Sequence, residues 1–438
     1  MVSRKVIMNV AIVGTGFVGV VTAAVLAQHG HTIWGVDIDQ KKTDGLNEGL
    51  VPFFEPDLDA LVRSALDSGR LQFTTDYKEA ISGADVAMIA VGTPSSSEGK
   101  ADLSYVFAAS KSLAPYLKEG AVVVVKSTVP PGSFAQVAEV LNEHAMTSYH
   151  LASVPEFLRE GSAVKDTQHP DRIVLGVSDE HSRAVLENLH KQFDAPIIVT
   201  SPESAQLSKY AANAYLALRI GFINQIADFC EVTGANIQDV ISIIGKDKRI
   251  GDHYWYPGLG YGGSCFPKDV RELAYTSKSL ELGDTLFTQL NALNGERIDK
   301  KFREWSEQVG SWSEKRVAVL GLSFKPNTTD LREAPSLAII PKLAYAGATV
   351  VGYDPMAVDE AHHVFDNLQG LSLTNNIDEA VAGADVIIAL IEWPEIIDHS
   401  FPVVAGVHFI DVRNQFNPET MRELGYLYDG TGIVGDLV

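Results

Sequence analysis

Val10-Ala-Ile-Val-Gly-Thr-Gly-Phe-Val-Gly19, with Asp37 eighteen residues further on, is the stretch whose reading decides the fold. The apolar run reads as a buried strand. Gly14, Gly16 and Gly19 then permit a tight turn and close approach of backbone to a pyrophosphate at the mouth of the following helix. Phe17 and Val18 complete that turn. Asp37 ends the next strand, Gly30-His-Thr-Ile-Trp-Gly-Val-Asp37, where its carboxylate would accept hydrogen bonds from an adenosine ribose and disfavour a 2′-phosphate. Lys42 nearby pulls the other way. The motif points to NAD, with a flavin or a nucleotide sugar as the alternative occupant of the same turn.

The pattern is written twice. Val317-Ala-Val-Leu-Gly321 echoes the first strand, Gly347-Ala-Thr-Val-Val-Gly-Tyr-Asp354 echoes the second, and Glu379-Ala-Val-Ala-Gly-Ala-Asp-Val386 echoes Glu79-Ala-Ile-Ser-Gly-Ala-Asp-Val86. Short apolar strands alternating with amphipathic helices read as parallel sheet with βαβ crossovers. The expectation is an α/β protein with two Rossmann-like doubly wound domains joined by a long central helix and a helical region. Ser201-Pro-Glu-Ser204 is a helix start, with N-cap, proline and acid in order, and helical patterning runs on to Thr233-Gly234, roughly 45 Å at the usual rise. Gly310-Ser-Trp-Ser-Glu-Lys315 reads as a linker. The divisions are therefore 1–200 for the cofactor domain, 201–310 for the helical, dimerisation region and 311–438 for a second nucleotide-fold domain.

The chain has 438 residues, 46% of them hydrophobic, with 35 Lys+Arg against 56 Asp+Glu and a net charge of −21. Such a surface repels nucleic acid and anionic membranes, so neither is an expected partner. No apolar run reaches the roughly 18–20 residues of a membrane helix. With two cysteines and no export signal at the start, a reducing cytoplasm is expected. The twelve histidines show no ligand spacing, so no metal is inferred.

Chemistry concentrates in Pro257-Gly-Leu-Gly-Tyr-Gly-Gly-Ser-Cys-Phe-Pro-Lys-Asp269. Pro267 suits a first helical turn, making Phe266 the expected N-cap and leaving Cys265 just outside the helix. Unpaired N–H groups there favour the thiolate, the nucleophilic form. Asp269 follows four residues on. Lys209 and Asn213, also four apart on the long helix, suit an alkoxide or oxyanion as charge develops; the plain alternative is a surface pair. In Val154-Pro-Glu-Phe-Leu-Arg-Glu-Gly161, Glu156 and Glu160 would share a face if the segment were helical, and could hold and deprotonate water. Gly92-Thr-Pro94 and Lys126-Ser-Thr-Val-Pro130 each follow a strand and would border the cofactor. Arg249, Lys325, Arg332 and Arg413 supply cations suited to a diphosphate. Cys230, on an apolar helix, reads as packing.

A nicotinamide site and an activated thiol in one chain suggest oxidation beyond the aldehyde. A cysteine adds to the carbonyl, the thiohemiacetal loses hydride to give a thioester, and water hydrolyses it.

Across essentially its whole length the sequence resembles the UDP-glucose/GDP-mannose dehydrogenase family, in its UDP-glucose 6-dehydrogenase branch. The residues that carry this are Gly262-Gly-Ser-Cys-Phe-Pro-Lys-Asp269, Pro155-Glu-Phe-Leu-Arg-Glu-Gly161, Lys126-Ser-Thr-Val-Pro130, Lys209-Tyr-Ala-Ala-Asn213, and Phe324-Lys325 with Asp330-Leu-Arg332. The resemblance implies oxidation of the C6 hydroxyl of UDP-glucose to UDP-glucuronate with two NAD reduced. It implies Cys265 as nucleophile, Lys209 and Asn213 as oxyanion stabilisers, and Asp269 as support for Lys209 and the water chemistry. Thr128 and Glu160 would organise the hydrolytic water, with Glu156 close by. The substrate would meet Phe157, Leu158, Tyr254, the loop from Tyr256 through Tyr261 to Gly262, Phe324, Lys325 and Arg413, with Arg249 reaching in from a neighbouring subunit of a homodimer or larger homo-oligomer. NAD would contact Gly14 to Gly19, Asp37, Lys42, Gly92, Thr93, Pro94, Ser127, Thr128, Glu160, Lys268 and Arg332. Val154, where the family usually has Asn, and the aromatic run His253-Tyr-Trp-Tyr256 leave open UDP-N-acetylhexosamine, UDP-galactose or GDP-mannose as substrate. A two-electron NAD-dependent oxidoreductase on a sugar nucleotide is the other alternative.

Overall fold

The computed structural model describes residues 6–433. These fall into two compact units divided between Ala212 and Asn213. Each is built on a sheet whose inner strands are apolar on both faces. In the first strand, β1 (Asn9–Val13), Val10 and Ile12 enter one core while Ala11 and Val13 enter the other. A strand buried on both sides has no polar alternation to show, which is why it reads as a continuous run.

The first sheet comprises β1, β2 (Thr32–Val36), β3 (Leu71–Thr74), β4 (Val86–Ile89), β5 (Ala121–Val125), β6 (Tyr149–Ser153), β7 (Ile173–Val177) and β8 (Ile197–Thr200), in the order β3-β2-β1-β4-β5-β6-β7-β8. Every pairing is parallel except β6 with β7. The second comprises β9 (Arg316–Leu320), β10 (Thr349–Tyr353), β11 (Leu371–Thr374), β12 (Val386–Ala389), β13 (His408–Asp411) and β14 (Leu427–Gly430), in the order β11-β10-β9-β12-β13-β14. That repeats the order of the first six strands, and all its pairings are parallel. The two echoes in the sequence are therefore two copies of one doubly wound topology.

The long helix, Pro202–Thr233, has 32 residues, beginning in the first unit and ending in the second. The Ser201 hydroxyl caps it, accepting from Ser204 N–H at 3.2 Å. Its second half is bolted to the helix Leu286–Val309 through buried charge: Arg297 to Asp228 at 3.0 Å and Lys301 to Glu231 at 2.7 Å. Gly221 allows the close approach, since a Cβ there would lie 2.5 Å from Leu290 Cδ1. No helix among the described residues is long and apolar enough to cross a membrane.

Candidate active site

The first unit holds a dinucleotide cradle. The helix Phe17–Gln28 starts directly after Gly16, its N-cap. A Cβ on Gly19 would lie 1.9 Å from the Gly14 carbonyl oxygen, so the turn closes only with glycine there. A Cβ on Gly16 would meet nothing within 4 Å, which leaves open space before the N–H groups of the first helical turn. A pyrophosphate fits that space.

Asp37 stands at the end of β2 and accepts from the Thr15 hydroxyl at 2.6 Å, Thr15 N–H at 3.1 Å and Lys42 at 2.8 Å. Burial alone would raise its pKa, but the bonds from Lys42 and Thr15 outweigh it and hold the carboxyl at about 2. Lys42 is thus engaged by the carboxylate that marks NAD. The loops after β4 and β5 are stitched together: Thr93 donates to the Thr128 carbonyl at 2.9 Å and Ser127 to that of Val91 at 2.7 Å.

Gly16→Ala separates binding from folding at this cradle. The added methyl touches no protein atom, so the melting temperature is expected to stay within about 2 °C, while NAD binding weakens by about tenfold or more. Calorimetric titration with NAD beside thermal melts checks both.

Glu156 and Lys209 form a buried ion pair at 2.8 Å, their side chains 8% and 3% exposed. Burial raises the Glu156 carboxyl, and the Lys209 charge and the Leu158 N–H overcome that, leaving it below the ordinary range. The segment Val154–Arg159 is irregular, contrary to the helical arrangement considered for Glu156 and Glu160. The Glu156 carboxylate instead turns back onto Leu158 N–H at 2.7 Å, and helix begins only at Ala163.

Two further residues, neither expected at this pair, lie beside it. Arg172, from the Pro-Asp-Arg-Ile run, stacks 3.7 Å over the Phe157 ring, with the Lys209 ammonium 5.5 Å from the same ring. Lys126, half-buried, is held down at about 8 by burial first, with Glu156 raising it and Lys209 lowering it. Thr22, Lys126, Glu156, Phe157, Arg172 and His190 line a cavity of about 280 Å³. No spacing signal links these residues, because they converge from five separate segments.

The second unit carries the thiol. Cys265 is itself the N-cap of the helix Phe266–Ser279, one residue earlier than expected, with Phe266 inside the helix and Pro267 in its first turn. Proline is tolerated there because its missing N–H would have had no helical partner. Cys265 is partly exposed and in no disulfide, and the Ser264 hydroxyl lies 3.5 Å from its sulfur. Asp269, 1% exposed, accepts from Asn213 at 2.6 Å and from Lys268 at 2.6 Å. The glycines before the thiol answer to packing, since a Cβ on Gly262 would lie 2.2 Å from the Glu333 carbonyl oxygen.

Other expected residues also belong to the second unit. Tyr254 adopts a left-handed backbone (φ 63°) and its ring lies 6.3 Å from that of Phe266. Tyr256 is exposed, whereas Tyr261 is buried with its hydroxyl toward the Leu290 carbonyl. Arg413 flanks Gly258. Lys325 lies 5.4 Å from the Phe324 ring, and Arg332 is clamped onto Asp330 at 2.7 Å. Arg249 is exposed and bonded to Asp247 at 2.6 Å.

The second Rossmann copy has lost the means to hold a dinucleotide in the manner of the first. Asp354, at the position of Asp37, is fully buried and spent on Leu322 N–H (2.8 Å), Ser323 N–H (3.1 Å) and the Trp393 indole (3.2 Å). Trp393 is 2% exposed and leaves no place for a ribose on that carboxylate. One fold, used twice, thus carries an available carboxylate at the end of its second strand in one copy and a structural one in the other. No group of His, Cys, Asp and Glu that could hold a metal ion occurs among the described residues.

A cradle built for NAD defines a nicotinamide-linked oxidoreductase. The chain belongs to the UDP-glucose/GDP-mannose dehydrogenase family. Residues 8–194 match that family's NAD binding domain, 203–296 its central domain and 318–418 its UDP binding domain. It is 43% identical to the UDP-glucose 6-dehydrogenase YwqF of Bacillus subtilis (strain 168), over 91% of this chain and 90% of that one. It is 40% identical to the UDP-glucose 6-dehydrogenase of Rhizobium meliloti (strain 1021), over 97% of this chain and 99% of the relative. Among solved structures, a UDP-glucose dehydrogenase from the hyperthermophilic archaeon Pyrobaculum islandicum superposes with a TM-score of 0.93 at 35% identity, covering 99% of this chain and 100% of that one.

Proposed function

We propose that this protein oxidises the C6 hydroxyl of UDP-glucose to the carboxylate. The balance is one alcohol, two NAD⁺ and one water giving one carboxylate, two NADH and three protons. NAD, when held by the Gly14–Gly19 turn and Asp37, accepts one hydride at each oxidation.

The rest falls to side chains of this protein. Lys209, charged and kept in place by Glu156, and Asn213, kept in place by Asp269, stabilise the oxygen of the sugar as negative charge develops on it. The Cys265 sulfur adds to the aldehyde carbon, and the second oxidation leaves an acyl group on sulfur. Water, organised by Thr128 and Glu160, cleaves that thioester and returns the thiolate. Phe157, Leu158, Tyr254, Tyr256, Phe324, Lys325 and Arg413 hold the nucleotide sugar.

The observation that carries this reading is Cys265 at the mouth of a 14-residue helix, partly exposed, four residues from a buried Asp269 that anchors Asn213. A two-electron dehydrogenase has no use for that thiol. We further propose a dimer. Tyr215, Phe222 and Phe229 recur every seven residues on the long helix at 57%, 49% and 67% exposure, an apolar stripe suited to a second copy. NADH yield per sugar, over UDP- and GDP-sugars, with light scattering on the same sample, tests both. The expected result is two NADH from UDP-glucose and twice the chain mass. One NADH per sugar would sink the thioester chemistry, and turnover of GDP-mannose alone would reassign the substrate.

A further inference from the structure

The segment that carries both Glu156 and Glu160 is anchored at its far end by a carboxylate from elsewhere in the chain. Glu55, in Glu55-Pro-Asp-Leu58, is 3% exposed and more than a hundred residues away in sequence. Its Oε2 accepts from Gly161 N–H at 2.7 Å; its Oε1 accepts from Ala163 N–H at 2.6 Å and Val164 N–H at 3.4 Å. A buried carboxylate is costly unless donors surround it, and here three main-chain donors do.

These donors define what Glu55 controls. Gly161 directly follows Glu160, and Ala163 opens the short helix Ala163–Gln168. That helix presents Asp166, which grips the Arg159 guanidinium at 2.7 Å and 2.9 Å and its N–H at 3.0 Å. Glu160 therefore lies between two fixed points: Gly161, bonded directly to Glu55, and Arg159, gripped by Asp166 of the helix whose first N–H groups Glu55 accepts. Glu156 is held separately, by Lys209 and by Leu158 N–H. The two carboxylates of one segment thus have independent anchors. Phe53, two residues before Glu55, packs its ring 5.2 Å from that of Phe17, which ties the segment carrying Glu55 to the dinucleotide turn.

We infer that Glu55 is a positioning residue for Glu160, setting the hydrolytic half of the reaction while leaving the first oxidation to the Glu156–Lys209 pair. The inference rests on the thioester reading above and adds to it the residue that aims Glu160.

The test is Glu55→Gln in the full chain, with Glu160→Gln as reference. The amide keeps the shape but sets an NH₂ group against one of the donors. The expected result is a rapid release of NADH in the first turnover, then a steady state slowed by about tenfold or more, with an acyl adduct on Cys265 accumulating in intact-mass spectra. KM for both substrates should move less than about twofold. Should Glu55→Gln fail to fold, Glu55→Asp, which keeps the charge but falls short of Gly161, gives the same readout. Unchanged kinetics, or uniform slowing of both oxidations without an adduct, overturns the inference. A wild type that yields one NADH, with no adduct in either Glu55 or Glu160 variant, instead overturns the thioester reading on which it stands.

Discussion

Cys265→Ala is expected to lower the formation of the carboxylate by about 10³-fold or more, while NAD binding stays within about twofold of wild type. In the mechanism we propose, its sulfur is the one atom that turns an aldehyde, which offers no oxyanion able to expel a second hydride, into an adduct that does. An alanine at the N-cap also loses little for the helix, because Cys265 makes no side-chain cap bond to it. The melting temperature should therefore move little, and the deficit is chemical. Stopped-flow absorbance of NADH, with product analysis by mass spectrometry, reads the result. An alanine variant that still delivers two NADH per sugar would remove the thiol from the mechanism.

Lys209→Met should cost both stability and activity, for separable reasons. Removing the ammonium strands a carboxylate that is 8% exposed, and breaking a buried pair from one side typically costs about 3–5 kcal/mol. Lys126 lies near enough to temper the loss through its charge. The double variant Lys209→Met with Glu156→Gln leaves no stranded charge, so most of the stability should return. Activity should not, since the group we propose to face the developing oxyanion is still missing. Denaturant melts of the three proteins beside their turnover check this. Recovery of turnover in the double variant would show that Lys209 serves only to neutralise Glu156.

The doubled nucleotide fold was legible because its signals are local. Apolar runs of strand length, a glycine turn and an Asp at the strand end each constrain a few neighbouring residues, and their repetition in order marks the second copy. The long helix was legible for the same reason: Ser201-Pro-Glu-Ser204 starts it and Gly234 ends it within their own turns. Cys265 was found through its glycines and proline, missing the N-cap by one residue because Pro267 is acceptable at either of the first two helical positions.

What remained hidden depends on residues distant in sequence. Glu55 has no spacing relation to Gly161 or Ala163, and a buried carboxylate cannot be told from an exposed one by its neighbours in the chain. Nothing in its sequence neighbours places Arg172 over Phe157; only the fold does so. Asp354 reads as a twin of Asp37 until Trp393, thirty-nine residues later, donates to it at 3.2 Å. Periodicity and turn chemistry act over a few residues and so write the architecture into the chain. Charge pairing and burial act over ångströms of space, and only once the sheets have formed do they separate a ribose-binding carboxylate from a structural one.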